Sequence, residues 1–298
     1  MQRFAVAMLL VCAGCKFSID ALQGIGTVAE PDLAVGGSVG DDLATGAAPA
    51  DLATTMTTDL SMPPPPDLVP DPCAGAPALG TGNVAAQCVI GDAPTIDGNL
   101  ADWPLAQFLP MTKTTAAQAN GTWDTSVPND ANSSARFFVR WDMSYLYVAV
   151  SIADDIRNTP NTGAQISEND AIEIFVDGQH DRSTSYSSDD WQLVYSADGQ
   201  KIAAQGTPVA WPAQTKEAWS ATSPAWTLEA AIPWAIMGGT PAALGRVVGF
   251  DLKLDDNDSG STRQRDLILY YNAGPGGGQC VAPNCRADAF GTVQLQGR

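Results

Sequence analysis

Histidine is almost absent: His180 is the only one in 298 residues, and it sits in the polar turn Gly178-Gln179-His180-Asp181. A nucleophile–histidine triad needs its imidazole beside a serine or cysteine, and one histidine in such a turn does not supply it. No cysteine pair has a second pair or histidines at zinc-ligand spacing. Positive charge is scarce as well, with 15 Lys and Arg against 33 Asp and Glu and a net charge of −18. Nine of the acids and two of the bases precede Cys73, which leaves 24 against 13 for the remainder. Nucleic acids and anionic membrane surfaces are thereby excluded as partners, because both need a basic footprint. Neutral solutes and divalent cations suit such a chain, and acidity also serves solubility. Long apolar runs are missing too. Phe4–Val11 is the longest apolar stretch near the N-terminus and is too short to span a bilayer. Helix-period patterning is absent apart from one turn after Pro233.

What is present begins with Met1-Gln2-Arg3, a short basic start, then that apolar run, then Cys12-Ala13-Gly14-Cys15. Small residues directly before a cysteine are what a lipoprotein signal peptidase cuts, so 1–14 is expected to be a signal peptide and Cys15 the lipidated residue. Acyl chains add about 0.8 kcal/mol per buried methylene, so a multiply acylated cysteine holds a membrane. The expected place is the bacterial cell envelope, at the outer membrane or cell surface. Residues 15–72 are rich in Ala, Gly, Pro, Thr and Asp, with irregularly spaced Asp-Leu pairs and the run Pro63–Pro66. Such a composition buries too little apolar surface to offset its ordering entropy, and a disordered tether is expected.

From Cys73 to Arg298 a single domain is expected. Cys73, Cys88, Cys280 and Cys285 form an even set in an oxidising compartment. Three pairings are open, and proximity favours Cys73–Cys88 and Cys280–Cys285. Past Val89 the apolar residues recur at every second position: Phe137/Val139/Trp141, Leu146/Val148/Val150/Ile152, Ile172/Ile174/Val176, Trp191/Leu193/Tyr195, Trp226/Leu228/Ala230/Ile232, Phe250/Leu252/Leu254, Leu267/Leu269/Tyr271 and Val293/Leu295. Asp97-Gly98, Asp177-Gly178, Asp198-Gly199 and Gly238-Gly239 punctuate them. Many short strands with one apolar face predict an all-β fold, an antiparallel two-sheet β-sandwich.

In that frame Ile96-Asp97-Gly98 with Asp102-Trp103, Arg140-Trp141-Asp142 with Tyr145–Val148, Asp170–Asp177, and Leu228–Trp234 followed by Gly249-Phe250-Asp251 stand in order along residues 90–298. The set resembles family 9 carbohydrate-binding modules, whose fold is a DOMON-like β-sandwich. The resemblance implies a non-catalytic module with a polysaccharide or oligosaccharide partner, reached from a membrane through the lipid anchor. It implies that Glu173 and Gln192 are polar ligands. The sugar-clamping tryptophans of the family are replaced, one by Ile166, Ser167 or Glu168 and the other near Cys285, and its arginine by Val194. Weak or absent binding of plant-type oligosaccharides is therefore expected. Trp191, or the polar-flanked Trp123, would have to supply the missing stacking surface. Trp211 and Trp219 flank another polar loop, whereas Trp103, Trp141, Trp226 and Trp234 read as core.

The alternative is a structural or protein-interaction β-sandwich that has lost sugar binding. A haem-binding DOMON-like domain is a remote third reading. His180 with Met111 or Met143 is the ligand set it would use, and the polar turn around His180 argues against haem. Calcium is the cofactor to expect. Asp255, Asn257, Ser259 and Asp266 have the alternate spacing and distal carboxylate of a calcium loop, though strands flank it. Asp154-Asp155 and Asp189-Asp190 are further acidic turns with weaker spacing.

Overall fold

A computed structural model describes residues 71–75, 78–80, 84–118, 127–258, 260, 265–269 and 286–297. All of them lie in one compact unit, Met62–Arg298. Cys15, the tether to Pro70, Trp123, Ser259, Cys280 and Cys285 fall outside the described residues, as do the side chains of 265–269.

The fold is all-β. The strands are β1 (Val84–Cys88), β2 (Leu109–Met111), β3 (Ser133–Trp141), β4 (Tyr145–Asp154), β5 (Ala171–Asp177), β6 (Asp190–Ser196), β7 (Lys201–Ala204), β8 (Pro208–Val209), β9 (Lys216–Thr222), β10 (Ala225–Pro233), β11 (Val247–Asp256), β12 (Arg265–Leu269) and β13 (Thr292–Gln296). One six-residue helix, Lys113–Gln118, follows β2. The turn expected after Pro233 is a 3-10 turn, Trp234–Ile236. Among the described residues no helix is long and apolar enough to cross a membrane.

The period-two stripes become strands because each lays its apolar set on one face. Phe137, Val139, Trp141, Ile172, Ile174, Val176, Leu228, Ile232, Leu252, Leu254, Val293 and Leu295 join one buried cluster. Where two separate antiparallel sheets were expected, hydrogen bonding runs without a break through β8-β7-β6-β5-β11-β13-β1-β3-β4-β10-β9, with β12 on β11 and β2 on β3. β1 makes the link. It pairs in parallel with β13, Val84 opposite Val293 through Gln87 opposite Gln296, and in parallel with the end of β3. Side-chain alternation fixes which face is buried but not which strand lies alongside, so the link could not be read from the pattern. The sheet curls until strands far apart in this order meet across the core, as Phe137 of β3 and Phe250 of β11 do with ring centroids 6.4 Å apart.

Two features fasten the segment that precedes β2. Cys73 and Cys88 form a disulfide across 15 positions. Glu229 of β10, buried, accepts hydrogen bonds from the Gly98 N–H at 2.6 Å, the Asp97 N–H at 3.0 Å and the Trp103 indole N–H at 2.6 Å. Gly98 has φ 85°, and a Cβ there would come within 2.8 Å of the Trp219 backbone, so only glycine permits this approach. Trp103, Trp141, Trp226 and Trp234 are all buried, as expected of core.

Candidate functional site

β5, β6 and β11 lie side by side. Their core-facing residues alternate with a second set on the outer face. Lys253 stands directly opposite Glu173 in the β5–β11 register. Gln192 stands opposite Phe175, one diagonal step from Glu173, within reach of long side chains. The three meet: the Lys253 ammonium donates to Glu173 Oε1 at 3.0 Å, and the Gln192 amide donates to Glu173 Oε2. Lys253 also pairs with Asp255 Oδ1 at 2.8 Å. Both members of the Glu173–Lys253 pair are fully buried. Apolar groups flank them on the same face. Phe175, Ala287, Ala289 and Phe290 lie to one side, with Phe175 and Phe290 rings 5.5 Å apart. Ile166, Ala171 and Val194 lie to the other.

Burial raises the Glu173 pKa, but the Lys253 charge and the hydrogen bonds of Asp255, Gln192 and Lys253 outweigh it and hold the carboxyl below its usual range. A charged carboxylate, an amide and an ammonium set among aromatic and aliphatic walls are suited to reading hydroxyl groups by hydrogen bonds.

Of the residues expected at the site, Glu173 and Gln192 are thus brought together. Trp191 is not with them: it pairs with Val176 in register, packs against the core, and donates its indole N–H to the Ile236 carbonyl at 2.8 Å. Its neighbour Gln192 points to the opposite face because successive side chains alternate. Of the expected calcium loop, Asp255 stands opposite Asp266 in the β11–β12 register, and Ser259 and the Asp266 side chain lie outside the described residues. Asp255 faces Lys253, while Asn257 donates to the Glu168 carbonyl at 2.6 Å and the Gly260 carbonyl at 2.8 Å. Met111 lies in the core, Met143 is exposed, and His180 lies against the Arg182 guanidinium at 3.2 Å.

Lys253 and Glu229 are the residues that sequence reasoning missed. Each occupies a polar slot between apolar neighbours, where alternation predicts solvent. Here both side chains are buried, so the same slot marks a buried polar group. Two acidic clusters also form. Asp154, Asp155 and Asp258 converge at one end of the sheet, and Asp177, Asp189 and Asp190 at the β5–β6 turn. Burial, with the charges of Asp256, Asp258 and Asp155, raises Asp154 to about 7 despite the Ile156 N–H. Burial, with Asp154 and Asp256, raises Asp170 to about 8 despite two backbone N–H donors.

A continuous curled β-sheet with a buried polar group on one outer face is the architecture of this module. A family model described as carbohydrate family 9 binding domain-like matches residues 96–298, and the chain belongs to that family. It is similar to the exoglucanase XynX of Acetivibrio thermocellus, 30% identical over 174 residues, which is 57% of this chain and 14% of that protein. It is also similar to endo-1,4-beta-xylanase A of Thermotoga maritima, 31% identical over 181 residues, 60% of this chain and 15% of that protein. The match thus spans about one seventh of these relatives' length. This segment is a binding module and not a catalytic one. Among solved structures, a family 9 module from Caldicellulosiruptor kristjanssonii in complex with cellotriose has the same fold. Its TM-score is 0.55 at 21% identity, over 72% of this chain and 94% of that one.

Proposed function

We propose that the chain holds a saccharide-recognising module at the bacterial cell surface, and that the outer face of β5, β6 and β11 is where sugar is met. In this reading the curled sheet works as a two-layer sandwich with that face uppermost. The observation that carries it is the buried Glu173–Gln192 pair, two hydrogen-bonding side chains fixed side by side between the Phe175 and Ile166 clusters. Family membership and a likeness to a cellotriose-bound module support it. Affinity for simple oligosaccharides is weak in this proposal. Two polar groups contribute about 1–3 kcal/mol between them, short of the roughly 5–6 kcal/mol that sub-millimolar binding needs. Calorimetry of the full chain against cello-, xylo- and manno-oligosaccharides tests this. We expect dissociation constants of a millimolar or weaker, and any binding lost in Glu173→Ala. A tighter complex indifferent to Glu173→Ala would mean that another face is used, and Trp123→Ala would then be the variant to measure.

A second reading, a structural or protein-interaction domain without sugar binding, is favoured by one observation. Glu173 already has Lys253 and Gln192 as partners. No heat with any glycan, together with capture of a defined envelope protein, would decide for it.

The anchor belongs to the same proposal. Lipid on Cys15, a tether through residue 72 and a second disulfide between Cys280 and Cys285 would place the module outside the cytoplasm. Cys15→Ser is expected to move the protein from the membrane fraction to a soluble or uncleaved form, and a mature N-terminus without lipid by mass spectrometry would refute the anchor. Calcium in the loop of Asp255, Asn257, Ser259 and Asp266 is part of the reading too, supported by that loop's spacing. Asp266→Ala is its test: in a calorimetric titration of the chelator-stripped full chain with calcium chloride it is expected to abolish a binding event that the wild type shows, and an unchanged titration would refute the loop.

A further inference from the structure

We propose that the module meets neutral saccharide at a second place, a hydroxyl-lined groove on the outer face of β4, β10 and β9. The choice of ligand class rests on the saccharide reading, but none of the residues is shared with the Glu173 face. Thr227 of β10 stands opposite Ser151 of β4 and opposite Ser220 of β9. Thr222 lies two residues beyond Ser220 and so shares its face. Adjacent strands are about 4.8 Å apart, so the register sets four hydroxyls at short intervals across one surface. That surface is the outer one, since Trp226 and Leu228, on either side of Thr227, belong to the core.

The groove has a wall as well as a floor. Residues 98–100 run alongside the strands. The Thr227 hydroxyl donates to the Gly98 carbonyl at 2.7 Å, and the Gly98 N–H donates to buried Glu229 at 2.6 Å. Gly98 lies so close to the Trp219 backbone that no side chain fits between them. The wall is therefore fixed before any ligand arrives, which lowers the ordering cost of binding. Wall and strands enclose a hollow of about 280 Å³, lined in part by Asn99, Leu100 and these hydroxyls. Small-molecule sites begin at about 300 Å³.

The lining selects the guest. Among the described residues no ionisable side chain lines the hollow, in a chain of net charge −18. An ionic ligand would lose water there without gaining a counter-charge. The hydroxyls of Ser151, Ser220 and Thr222 have no hydrogen-bond partner among the described residues. Asn99 spends its side-chain oxygen on the Ala101 N–H, which leaves its amide group to donate. A hydroxyl gives one hydrogen bond, accepts two and rotates to suit, so the set matches sugar hydroxyls in either role. Leu100 and Ala225 offer apolar contact to ring C–H groups. Bonds of this kind largely replace bonds to water, so the groove alone binds with a dissociation constant above about 1 mM. It lies across the core from the β5–β6–β11 face, so one module contacts two glycan strands, and presentation of both sites together multiplies weak affinities.

The test is an NMR titration of the full chain with cellotriose up to about 50 mM, well above the expected constant, with glycerol as control. Cellotriose is expected to shift the amide signals of Asn99, Ser151, Ser220 and Thr222, and glycerol to leave them in place. Ser220→Ala combined with Thr222→Val, at exposed positions of the edge strand, is expected to weaken the response at Asn99 and Ser151 about tenfold and to leave any response at Gln192 unchanged. Shifts at Gln192 without shifts at the groove would overturn the groove and leave the Glu173 face standing. Shifts at the groove without Gln192 would uphold the groove and overturn that face. No shift at either would overturn both. Equal shifts with glycerol, or an unchanged response in the double variant, would overturn the groove alone.

Discussion

Lys253 shows how one side chain alters the meaning of its neighbours. An ammonium with no exposure, between two carboxylates at 3.0 and 2.8 Å, turns what would be repulsion into a held array. Such a pair adds little net stability over apolar residues of the same volume, yet removing one partner leaves the other charge stranded. Lys253→Met is therefore expected to cost about 3–5 kcal/mol in urea unfolding at pH 7. The loss should shrink at pH 4, because without the ammonium burial raises the Glu173 carboxyl and lets it take up a proton. A loss below about 1 kcal/mol at pH 7, the range of exposed pairs, would mean that the group is hydrated in solution. The sequence marks Glu173 and Gln192 through their motif. It does not mark Lys253, because in Phe250-Asp251-Leu252-Lys253-Leu254 the lysine stands where any solvent-facing residue would.

At the scale of elements, Ile172-Ile174-Val176 and Leu228-Ala230-Ile232 were legible because strict alternation survives in a strand with one buried face. β7 and β8 were not: four and two residues give too few periods to register. β1 was missed because its pattern lies before the stretch where alternation becomes regular. The role of the first signature was also hidden. Ile96–Trp103 is tied down by a single acceptor, Glu229, which draws on three donors from two directions. Hydrogen bonds to a charged group are worth about 1.5–3 kcal/mol each in mutational series and are not additive. Glu229→Ala is expected to cost about 3 kcal/mol and to strip exchange protection from the Asp97 and Gly98 amides. Protection retained at both amides would show that the Cys73–Cys88 bridge alone holds the segment.

For the whole molecule, acidity and burial oppose each other. Asp154 titrates near 7 and Asp170 near 8 in the fold, against 3.8 ordinarily, and burial raises Asp251 well above its ordinary value. Each binds its proton more tightly folded than unfolded, so this contribution is complete below about pH 4 and is lost as pH rises through the folded values. In chelator, the melting temperature is expected to fall between pH 5 and 8, and scanning calorimetry across that range checks it. A rise over the same range would mean that these groups are ionised and paired in the fold. One further property follows from the place of β1. Its longest pairing is with β13, so the first strand of the sheet finds its main partner some two hundred positions later. Contacts of such separation form late. A nascent chain halted before Thr292 has β1 without that neighbour and the sheet parted between β11 and β1. The module then assembles only after its own synthesis is essentially finished, and until then its first strand stays open to other partners.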